Sequence, residues 1–533
     1  MDVTFYDAHE RLKIHLSMIK NAIGTQKQFI QGTCWAVKIG LLGWSWKTMD
    51  KMPDSDHSLT LFFNPLWKAL AQFLAGKCDK CGQERLVSVF DDYSSSCRPH
   101  CKSCLLTSKT ITPLIHLLFF RLGVNGNTTR KLLKDPLIRR CMLTVVKGIA
   151  NFGIRYPQPT SVPVTIVWNF TNRCNLNCLH CHQDSSPTSS GLELTTAQAL
   201  KVIDNMSDAG VAILTFSGGE PLVRGDLYEA VKRADDSGML CTIASNGTLM
   251  TAKAAEQLAR VGIKRVEIGL DGAKAETHDF LRNKPGSFEA TVEGIRNCAA
   301  VGFDELAVTM TLHSKNIGEL EETMSLAEKL GATRFYLNRL IPAGRGMDAS
   351  HLDVTSEEKI KALEALHKKF YKSVTDGCGM QCYARGMTYY ARLGYERSKG
   401  KVFTVSEALS GHENMFQEKF GLEVSKIVRR LSTGFGGCSV GLTYAGLTAS
   451  GDLLPCVPAP IKLGNLLEQD LEEICVQNEL LNYIRDRKAL KGSCKTCAYT
   501  DLCGGCRYTA YITNGDWLGP DASCPFGPKI LNV

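Results

Sequence analysis

The feature that most constrains the fold of this chain is a regular alternation of strand-like and helical segments between Val164 and Leu340. Short runs rich in β-branched residues alternate with stretches whose apolar residues recur at helical spacing. Strands that are joined by helices lie parallel, so the alternation predicts an α/β fold with a partial (β/α)6 TIM-type barrel. In such a fold, ligands bind at the C-terminal ends of the strands. The predicted strands are Val164–Phe170, Ala212–Phe216, Leu240–Ala244, Arg265–Leu270, Leu306–Leu312 and Arg334–Leu340. The predicted helices between them are Thr196–Ala209, Leu227–Ser237, Ala252–Val261, Phe288–Val301 and Ile317–Leu330.

A cysteine triad follows the first predicted strand. Cys174, Cys178 and Cys181 have the spacing C-x3-C-x2-C, which is close enough for the three thiolates to share a metal centre. A cluster of four irons and four sulfides normally takes four cysteines. A local set of three therefore either recruits a distant fourth ligand or leaves one iron open for a small molecule. A zinc ion with an outside ligand and a chance group of core cysteines are the alternatives.

Polar turns follow the next three predicted strands. Gly218, Gly219 and Glu220 lie in the segment Ser-Gly-Gly-Glu-Pro-Leu. Its glycines allow backbone to approach a ligand, and its carboxylate can hold an ammonium group. Ser245-Asn246-Gly247 and Asp271-Gly272 follow the third and fourth strands. Each segment alone is typical of an ordinary turn. Because all of them fall at successive strand ends, together they predict a ligand site.

These motifs, in this order and at these strand ends, resemble the radical SAM superfamily over about residues 161–345. The Leu-Asp-Gly turn, with His278-Asp279 and Arg282 beyond it, belongs to the same resemblance. It implies a [4Fe–4S] cluster on the cysteine triad, whose open iron binds the amino and carboxylate groups of S-adenosylmethionine. It also implies reductive cleavage of that cofactor to a 5′-deoxyadenosyl radical, which takes hydrogen from a substrate.

The resemblance further implies roles for single residues. The glycine pair and Glu220 would receive the methionine amino group, and Ser245 and Asn246 would contact the ribose or the carboxylate. His180 would pack near the adenine, while Asp271 and Arg282 would either shape the substrate side or form a local ion pair. No catalytic acid or base follows from the sequence. The implied cofactor-binding residues are His180, Gly218, Gly219, Glu220, Pro221, Ser245 and Asn246.

A second cysteine-rich segment begins at Cys438 and resembles the SPASM extension of radical SAM enzymes that modify peptides, proteins and some tetrapyrroles. The resemblance implies one or two auxiliary [4Fe–4S] clusters. Its outer ligands would be Cys494, Cys497, Cys503 and Cys524, and its inner ligands Cys438, Cys456 and Cys506. The segment Cys503-Gly-Gly-Cys506-Arg507 departs from the common C-x3-C spacing and is similar to radical SAM proteins of alternative haem synthesis.

The eighth ligand expected shortly before Cys438 is missing from the sequence. Either Cys378 or Cys382 supplies it, or the inner cluster has an open iron that binds substrate. A domain that holds only zinc is the remaining alternative, because zinc can support a fold but cannot relay electrons.

Two further cysteine pairs stand near the N-terminus. Cys78 and Cys81, with Cys101 and Cys104, have the C-x2-C spacing of a closed four-thiolate site, and Cys97 and His100 are spare ligands. The pattern predicts a module like a zinc ribbon, stapled by zinc or by a single iron.

Length and composition indicate several domains. We divide the 533 residues into an N-terminal helical segment, the zinc-ribbon-like module with a linker, the radical SAM core, a bridging helical region and the SPASM-type domain. The 62 lysines and arginines exceed the 54 acidic residues by eight, a net charge of +8, but they are dispersed along the chain, which argues against a nucleic-acid partner. The segment Leu114–Phe120 is apolar enough to touch a membrane surface, although a buried helix explains it better. In chain order, the five predicted domains named above are residues 1–77, 78–160, 161–345, 346–437 and 438–533.

The sequence has no secretory signal and no apolar run of about 18 residues, the length of a membrane span. Many of its 22 cysteines stand at metal-binding spacings, so we expect a reducing, cytoplasmic compartment.

We therefore predict an oxygen-sensitive radical SAM oxidoreductase that draws electrons from a reductant such as ferredoxin or flavodoxin. A peptide or protein leads as substrate, a haem precursor follows, and a lipid is third. An iron–sulfur or zinc protein without catalysis is the alternative from another class.

Overall fold

The computed structural model describes residues 57–96, 101–121, 124–376, 379–397 and 437–527. Residues 1–56, the spare ligands Cys97 and His100, and Cys378 lie outside these ranges. The chain divides into two compact units. The first contains the described residues up to Asp135 together with Val146–Arg155, and the second contains Pro136–Val145 and the described residues from Tyr156 onward.

The first unit is helical. Its helices are α1 His57–Ala75, α2 Arg85–Ser94, α3 Lys102–Arg121, α4 Gly126–Lys134 and the end of α5 Pro136–Phe152. The predicted apolar segment Leu114–Phe120 lies within α3, which runs through Pro113, and Phe120 at its end is exposed. Among the described residues, no helix combines the length and the apolar character needed to cross a membrane.

The second unit is built on one sheet of ten strands, in the order β10-β9-β8-β1-β2-β3-β4-β5-β6-β7. The strands are β1 Thr165–Thr171, β2 Ile213–Gly218, β3 Leu240–Ser245, β4 Ile263–Gly269, β5 Glu305–Leu312, β6 Arg334–Arg339, β7 Gln381–Arg385, β8 Tyr444–Leu447, β9 Asp452–Leu454 and β10 Gly464–Asn465. The helices are α6 Thr196–Ala209, α7 Leu227–Asp236, α8 Ala252–Val261, α9 Ala275–Arg282, α10 Ser287–Val301, α11 Leu320–Lys329, α12 Ser356–Asp376, α13 Tyr390–Arg397, α14 Leu471–Gln477, α15 Glu479–Arg485, α16 Gly492–Lys495, α17 Thr500–Cys503 and α18 Arg507–Asn514.

The six predicted strands are present as β1–β6, parallel and in consecutive order, which confirms the α/β fold and is consistent with a partial barrel. The sheet also continues past both edges of the predicted barrel. Strand β7 pairs parallel with β6, and β8 pairs parallel with β1. The short strand β9 then pairs antiparallel with β8, and β10 pairs antiparallel with β9. The C-terminal cysteine-rich segment thus contributes strands to the same sheet as the core.

The boundaries of α6 and α8 agree with the prediction because strong caps fix them. The Thr195 hydroxyl accepts from the Gln198 N–H, and the Gln198 side chain accepts from the Thr195 N–H, which completes a capping box. At the start of α8, the Thr251 hydroxyl accepts from the Ala254 N–H. Gly210 and Gly262 end the two helices at φ +102° and +115°, a region that favours glycine.

One face of the strands packs against the helices. Trp168 and Phe170 of β1 meet Phe216 of β2, and Phe170 lies edge-on to both rings with centroids 4.9 and 5.4 Å away. The buried Trp168 indole donates to the Thr448 carbonyl at 3.0 Å. Because side chains alternate along a strand, this packing leaves the other face of the sheet free for a site.

Candidate active site

The cysteine triad lies in the loop after β1, where backbone groups point at its sulfurs. The Leu176 N–H donates to Cys174 Sγ and the Ser185 N–H to Cys181 Sγ, each at 3.4 Å. Cys174 and Cys178 are each 9% exposed, and burial raises the pKa of the Cys174 thiol to about 12. Such thiols ionise only when a cation binds them, and N–H donors to sulfur are typical of iron–sulfur sites. The donor set therefore fits a cluster.

The spacing of the triad also argues against a single ion. Across the ranges that the structure describes, the one group of three or more Cys, His, Asp or Glu whose ligand atoms all lie within 4.8 Å of one another is the N-terminal four-cysteine set. Cys174, Cys178 and Cys181 are more widely spread than that. This favours a multi-iron cluster over the zinc alternative.

Gly218 and Gly219 bring the end of β2 against the cysteine loop. The Gly219 N–H donates to the Thr171 carbonyl at 2.8 Å, and the Glu220 N–H donates to the Arg173 carbonyl at 2.9 Å. A Cβ at Gly219 would lie 2.0 Å from the Arg173 oxygen, and one at Gly218 2.5 Å from the Thr171 oxygen. The sequence pattern indicated backbone approach to a ligand. In the structure the nearest neighbour of both glycines is the backbone that carries the cysteines.

Glu220 connects the strand-end turns to each other. Its buried carboxylate accepts from the Ser245 hydroxyl at 3.0 Å and from the Asn246 N–H at 2.8 Å. Burial raises the pKa of Glu220 to about 6, although these hydrogen bonds act in the opposite direction. The Asn246 amide lies 3.8 Å from Cys174 Sγ. Pro221 begins a short 3-10 turn beside Glu220. The structure thus brings the glycine pair, Glu220, Ser245 and Asn246 together around the triad, as the strand-end argument predicted.

Asp271 and Arg282 form a buried ion pair at the same end of the sheet. Arg282 Nη2 lies 2.7 Å from Asp271 Oδ2, and Asp271 Oδ1 accepts from the Thr311 N–H at 2.7 Å. Burial opposes ionisation of Asp271, yet Arg282 holds its pKa at about 2. A Cβ at Gly269 would lie 2.2 Å from Arg282 Nη2, so the guanidinium crosses the strand where glycine leaves room. Burial raises the pKa of the Cys178 thiol, and the nearby Arg282 guanidinium acts in the opposite direction. The sequence left two roles open for Asp271 and Arg282, shaping the substrate side or forming a local ion pair. The structure has the ion pair, and its arginine lies beside Cys178 of the cysteine loop.

His180 and His182 flank the third cysteine. Burial lowers the pKa of His180 to about 3 and that of His182 to about 4, so both rings are neutral. His180 Nδ1 is shielded from solvent and has no hydrogen-bond partner among the described residues. An unpaired buried nitrogen fits a ligand with a complementary polar edge.

Arg345 was missed by sequence reasoning. Its guanidinium donates to the Cys178 carbonyl at 2.8 Å, the Asp184 carboxylate at 2.7 Å and the Ser185 carbonyl at 2.7 Å. Gly344, at φ +51°, fits against the Cys181 carbonyl, where a Cβ would lie 2.7 Å away. The segment Gly-Arg-Gly after the sixth strand was the signal, since an arginine between glycines at a strand end can reach across to a loop.

The face of the sheet away from the helices carries polar side chains, and some of them are partly exposed. Arg385 of β7 is 45% exposed there, and its guanidinium lies 3.5 Å over the Tyr336 ring and pairs with Glu267. Tyr336 stacks on Tyr383 with ring centroids 5.5 Å apart. Alternating with buried apolar residues, the partly exposed side chains of this face include Thr215, Thr242, Ala244, Glu267, Asn338 and Arg385.

The C-terminal cysteines form two neighbouring groups. Cys438, Cys456 and Cys506 all pack against one small apolar cluster that includes Tyr508 and Trp517. Burial raises the pKa of the Cys456 thiol, and Cys438 and Cys506 raise it further. Cys494 and Cys524 interact in the same way, as do Cys503 and Cys524. The Tyr499 N–H donates to Cys497 Sγ at 3.4 Å. These contacts are compatible with the implied inner and outer ligand sets.

Asp521 links the two groups through its carboxylate and its backbone N–H. Asp521 accepts from the Cys506 N–H at 2.7 Å, and its own N–H donates to Cys494 Sγ at 3.4 Å. The fully buried Arg507 adds a contact of 3.7 Å to Cys494 Sγ.

Cys382 does not approach the inner group. Its sulfur is buried 3.9 Å from Met324 Sδ and 3.9 Å from the Met380 carbonyl, on the helix-facing side of β7. An open iron in the inner cluster is therefore favoured over Cys382 as a ligand, and Cys378 lies outside the described residues.

Comparison with known proteins agrees with this geometry. The family model described as the radical SAM superfamily matches residues 168–327, and the SPASM model, described as an iron-sulfur cluster-binding domain, matches residues 438–498. The AdoMet-dependent heme synthase of Methanosarcina barkeri is 33% identical over 369 residues, which cover 69% of this chain and 98% of the relative. The mycofactocin maturase MftC of Mycobacterium tuberculosis is 28% identical over 379 residues, which cover 70% of this chain and 85% of the relative.

The fold is also found among solved structures. Streptococcus suis SuiB, crystallised with its precursor peptide SuiA, superposes with a TM-score of 0.56 at 15% identity, covering 82% of this chain and 92% of that one. A likeness at this identity concerns the fold alone. Because the heme synthase is matched over nearly its whole length, the chain belongs to the radical SAM superfamily and is a radical SAM enzyme that uses [4Fe–4S] clusters, S-adenosylmethionine and a C-terminal SPASM domain.

Proposed function

We propose that this enzyme acts on a haem precursor, a planar tetrapyrrole that carries carboxylate side chains. The observation that carries the proposal is Arg385 on the inner face of the sheet, whose cationic guanidinium is 45% exposed and lies over the buried Tyr336 ring. An arginine binds a carboxylate through two parallel hydrogen bonds, so an exposed arginine suits a substrate that carries carboxylate side chains. The heme synthase relative and the Cys503-to-Arg507 variant support the same substrate class.

A peptide substrate is the second candidate. The mycofactocin maturase relative and the peptide-bound SuiB structure favour it. In that case Arg385 would receive an acidic side chain or a C-terminal carboxylate, and no flat macrocycle would bind.

Within the site, the cluster ligands are Cys174, Cys178 and Cys181. Gly218, Gly219 and Glu220 receive the methionine amino group, Ser245 and Asn246 face the ribose or carboxylate, and His180 faces the adenine. When bound there, the cluster and S-adenosylmethionine supply the 5′-deoxyadenosyl radical that abstracts hydrogen from substrate. The chain holds the cysteine loop in place through Gly219 and Arg345 and keeps the thiols buried.

The reaction also needs an electron donor, and a low-potential protein such as ferredoxin or flavodoxin suits it. A reducing, cytoplasmic setting is part of the proposal. It is supported by the cysteines of the described residues, none of which forms a disulfide.

The decisive experiment is an anaerobic assay of the reconstituted, reduced full-length protein. We expect S-adenosylmethionine cleavage to 5′-deoxyadenosine, with a rate that rises when an iron porphyrin bearing propionates is added. Cys174→Ala should abolish cleavage. A rise with peptides but not with porphyrins would replace the first candidate by the second. No deoxyadenosine at full iron loading, with both substrate classes supplied, would overturn the assignment of these residues.

Arg385 gives a sharper test of the substrate class. Arg385→Gln removes a charge-assisted contact worth about 1.5–3 kcal/mol, so porphyrin binding should weaken at least about tenfold. The measurement is the change in the porphyrin absorption band on titration with protein. Arg233→Gln is the matched control, because Arg233 forms an equivalent exposed pair with Asp204 on the outer helices. Equal affinity of the two variants would contradict the role of Arg385.

A further inference from the structure

The four cysteines of the N-terminal unit converge on one point. Cys78 Sγ lies 3.6 Å from Cys101 Sγ, and Cys81 Sγ lies 3.5 Å from Cys104 Sγ. A metal with four thiolates at about 2.3 Å in tetrahedral geometry separates its sulfurs by about 3.8 Å. The observed spacing is close to that edge. It is too short for a four-iron cluster, in which each cysteine binds a different iron.

The backbone around each pair is shaped for this convergence. In the first pair, the Cys78 N–H donates to the Gln83 carbonyl and the Gly82 N–H to the Cys78 carbonyl, each at 2.8 Å. Gly82, at φ +74°, closes this turn. The second pair stands at the start of α3, where the Cys104 N–H lies 3.5 Å from Cys101 Sγ. The ligands thus come from two separate elements, the turn before α2 and the start of α3.

A second observation points to a ligand here. Ser88 of α2 is 1% exposed, and its hydroxyl has no hydrogen-bond partner of ordinary geometry among the described residues. It stands beside the Cys104 thiol, which is also 1% exposed. A buried hydroxyl is costly unless it donates to an acceptor, and a metal-bound thiolate provides one.

The geometry points to one zinc ion bound by Cys78, Cys81, Cys101 and Cys104, with a structural role in the N-terminal unit. Four protein ligands leave no position for a substrate, which is the arrangement of structural zinc sites. The same ligands bind zinc more tightly than ferrous iron. The site lies outside both matched family segments, 168–327 and 438–498.

The zinc would add to the folding free energy of this unit. Its described core is small and is centred on Leu86, Val89, Phe90, Leu132 and Leu133. A small core usually needs additional stabilisation, for example by a bound metal. Because this site forms only when the unit folds, the free energy of metal binding adds to the stability of the folded state.

Metal analysis of the full-length protein tests this. We expect about one zinc per chain beside the cluster iron, and in Cys81→Ser a fall to less than about a fifth of that with the cluster iron unchanged. Limited proteolysis should then cut the described N-terminal residues of the variant and spare those of the parent. Lys80→Ala is the control, because Lys80 is an exposed residue of the same turn and is not a ligand.

A second variant keeps the test decisive if Cys81→Ser does not fold. Cys81→His preserves a zinc-competent set of three thiolates and one imidazole, so it should retain zinc. Protein from cobalt-supplemented cells should then show visible cobalt bands that shift between parent and variant. Iron in place of zinc at this site, full zinc in Cys81→Ser or identical cobalt bands would each overturn the proposal. None of these outcomes depends on the haem-precursor assignment.

Discussion

At the scale of single residues, Gly219 is the position where the site depends most directly on the absence of a side chain. Its missing side chain allows the end of β2 to lie directly against the Arg173 carbonyl. That contact holds the loop that bears the cysteines, while Glu220 beside it reaches Ser245 and Asn246. Sterics therefore come before charge in forming this end of the sheet.

Replacing Gly219 by alanine should displace the cysteine loop. The added Cβ would lie 2.0 Å from a backbone oxygen that cannot rotate away, and such overpacking costs about 1–3 kcal/mol. We expect iron content after reconstitution to fall by more than about half and deoxyadenosine formation to fall with it. Gly225→Ala is the matched control, because nothing lies within 4 Å of a Cβ there. Parental iron content in Gly219→Ala would show that the loop tolerates the contact.

At the scale of elements, the segment after β6 acts as a clamp on the cysteine loop. Gly344–Gly346 forms a short 3-10 turn, and its Arg345 binds three acceptors of the loop. The loop is thus held from the β2 side by backbone and from the β6 side by a guanidinium. Two attachments from different strands keep three cysteines in fixed positions without regular structure of their own.

Removing this clamp should loosen the cluster. Arg345→Ala loses three charge-assisted hydrogen bonds at a partly exposed position, so we expect a cost of about 1–2 kcal/mol rather than the full sum. Iron release to a chelator should accelerate about tenfold under anaerobic conditions. Arg296→Ala removes an exposed arginine from the surface of α10 and should leave the rate unchanged. Equal release from both variants would mean that Arg345 is not part of the support.

The elements differ in how far their sequences reveal them. Strands β1–β6 and helices such as α6 were predictable to within about two residues, because period and caps are local signals. Helix α9 and strand β7 were not predicted. Strand β7 exists because it pairs with β6, and no pattern within five residues shows a distant partner.

The candidate site divides in the same way. Cysteine spacing and strand-end turns were visible in the sequence. Arg385 and Arg345 act across elements that are distant in sequence. The Gly-Arg-Gly segment was the one local sign of Arg345, and no spacing pointed to Arg385. Cys382 forms a C-x3-C pair with Cys378, which made it a candidate cluster ligand. In strand β7, however, its side chain points toward Met324.

At the scale of the whole molecule, the core and the cysteine-rich C-terminal segment share one sheet. Strand β8 pairs with β1 from Thr165 to Trp168, and the Trp168 indole bonds to Thr448. The C-terminal segment is therefore part of the fold that carries the first cysteine triad. It is not an appendage that can be removed without consequence.

A chain ending at Arg397 should consequently aggregate. It leaves the N–H and C=O groups of β1 unpaired at a sheet edge, which promotes association. We expect most of the protein to be insoluble or to elute as large species in gel filtration. A chain ending at Gly527 is the control, because it retains β8–β10. A soluble monomeric chain ending at Arg397 would contradict a structural role for β8.

The alternation of side chains along the strands has a consequence for how such an enzyme can change. The residues that face the helices determine whether the chain folds, whereas Thr215, Thr242, Asn338 and Arg385 face the open side and contribute little to that packing. Exchanges among the open-face residues can therefore redirect the enzyme to a new molecule at small cost in stability. Relatives that act on different substrates should therefore differ mainly at every second residue of the strands, on the open face. The alternating residues that face the helices should stay constant.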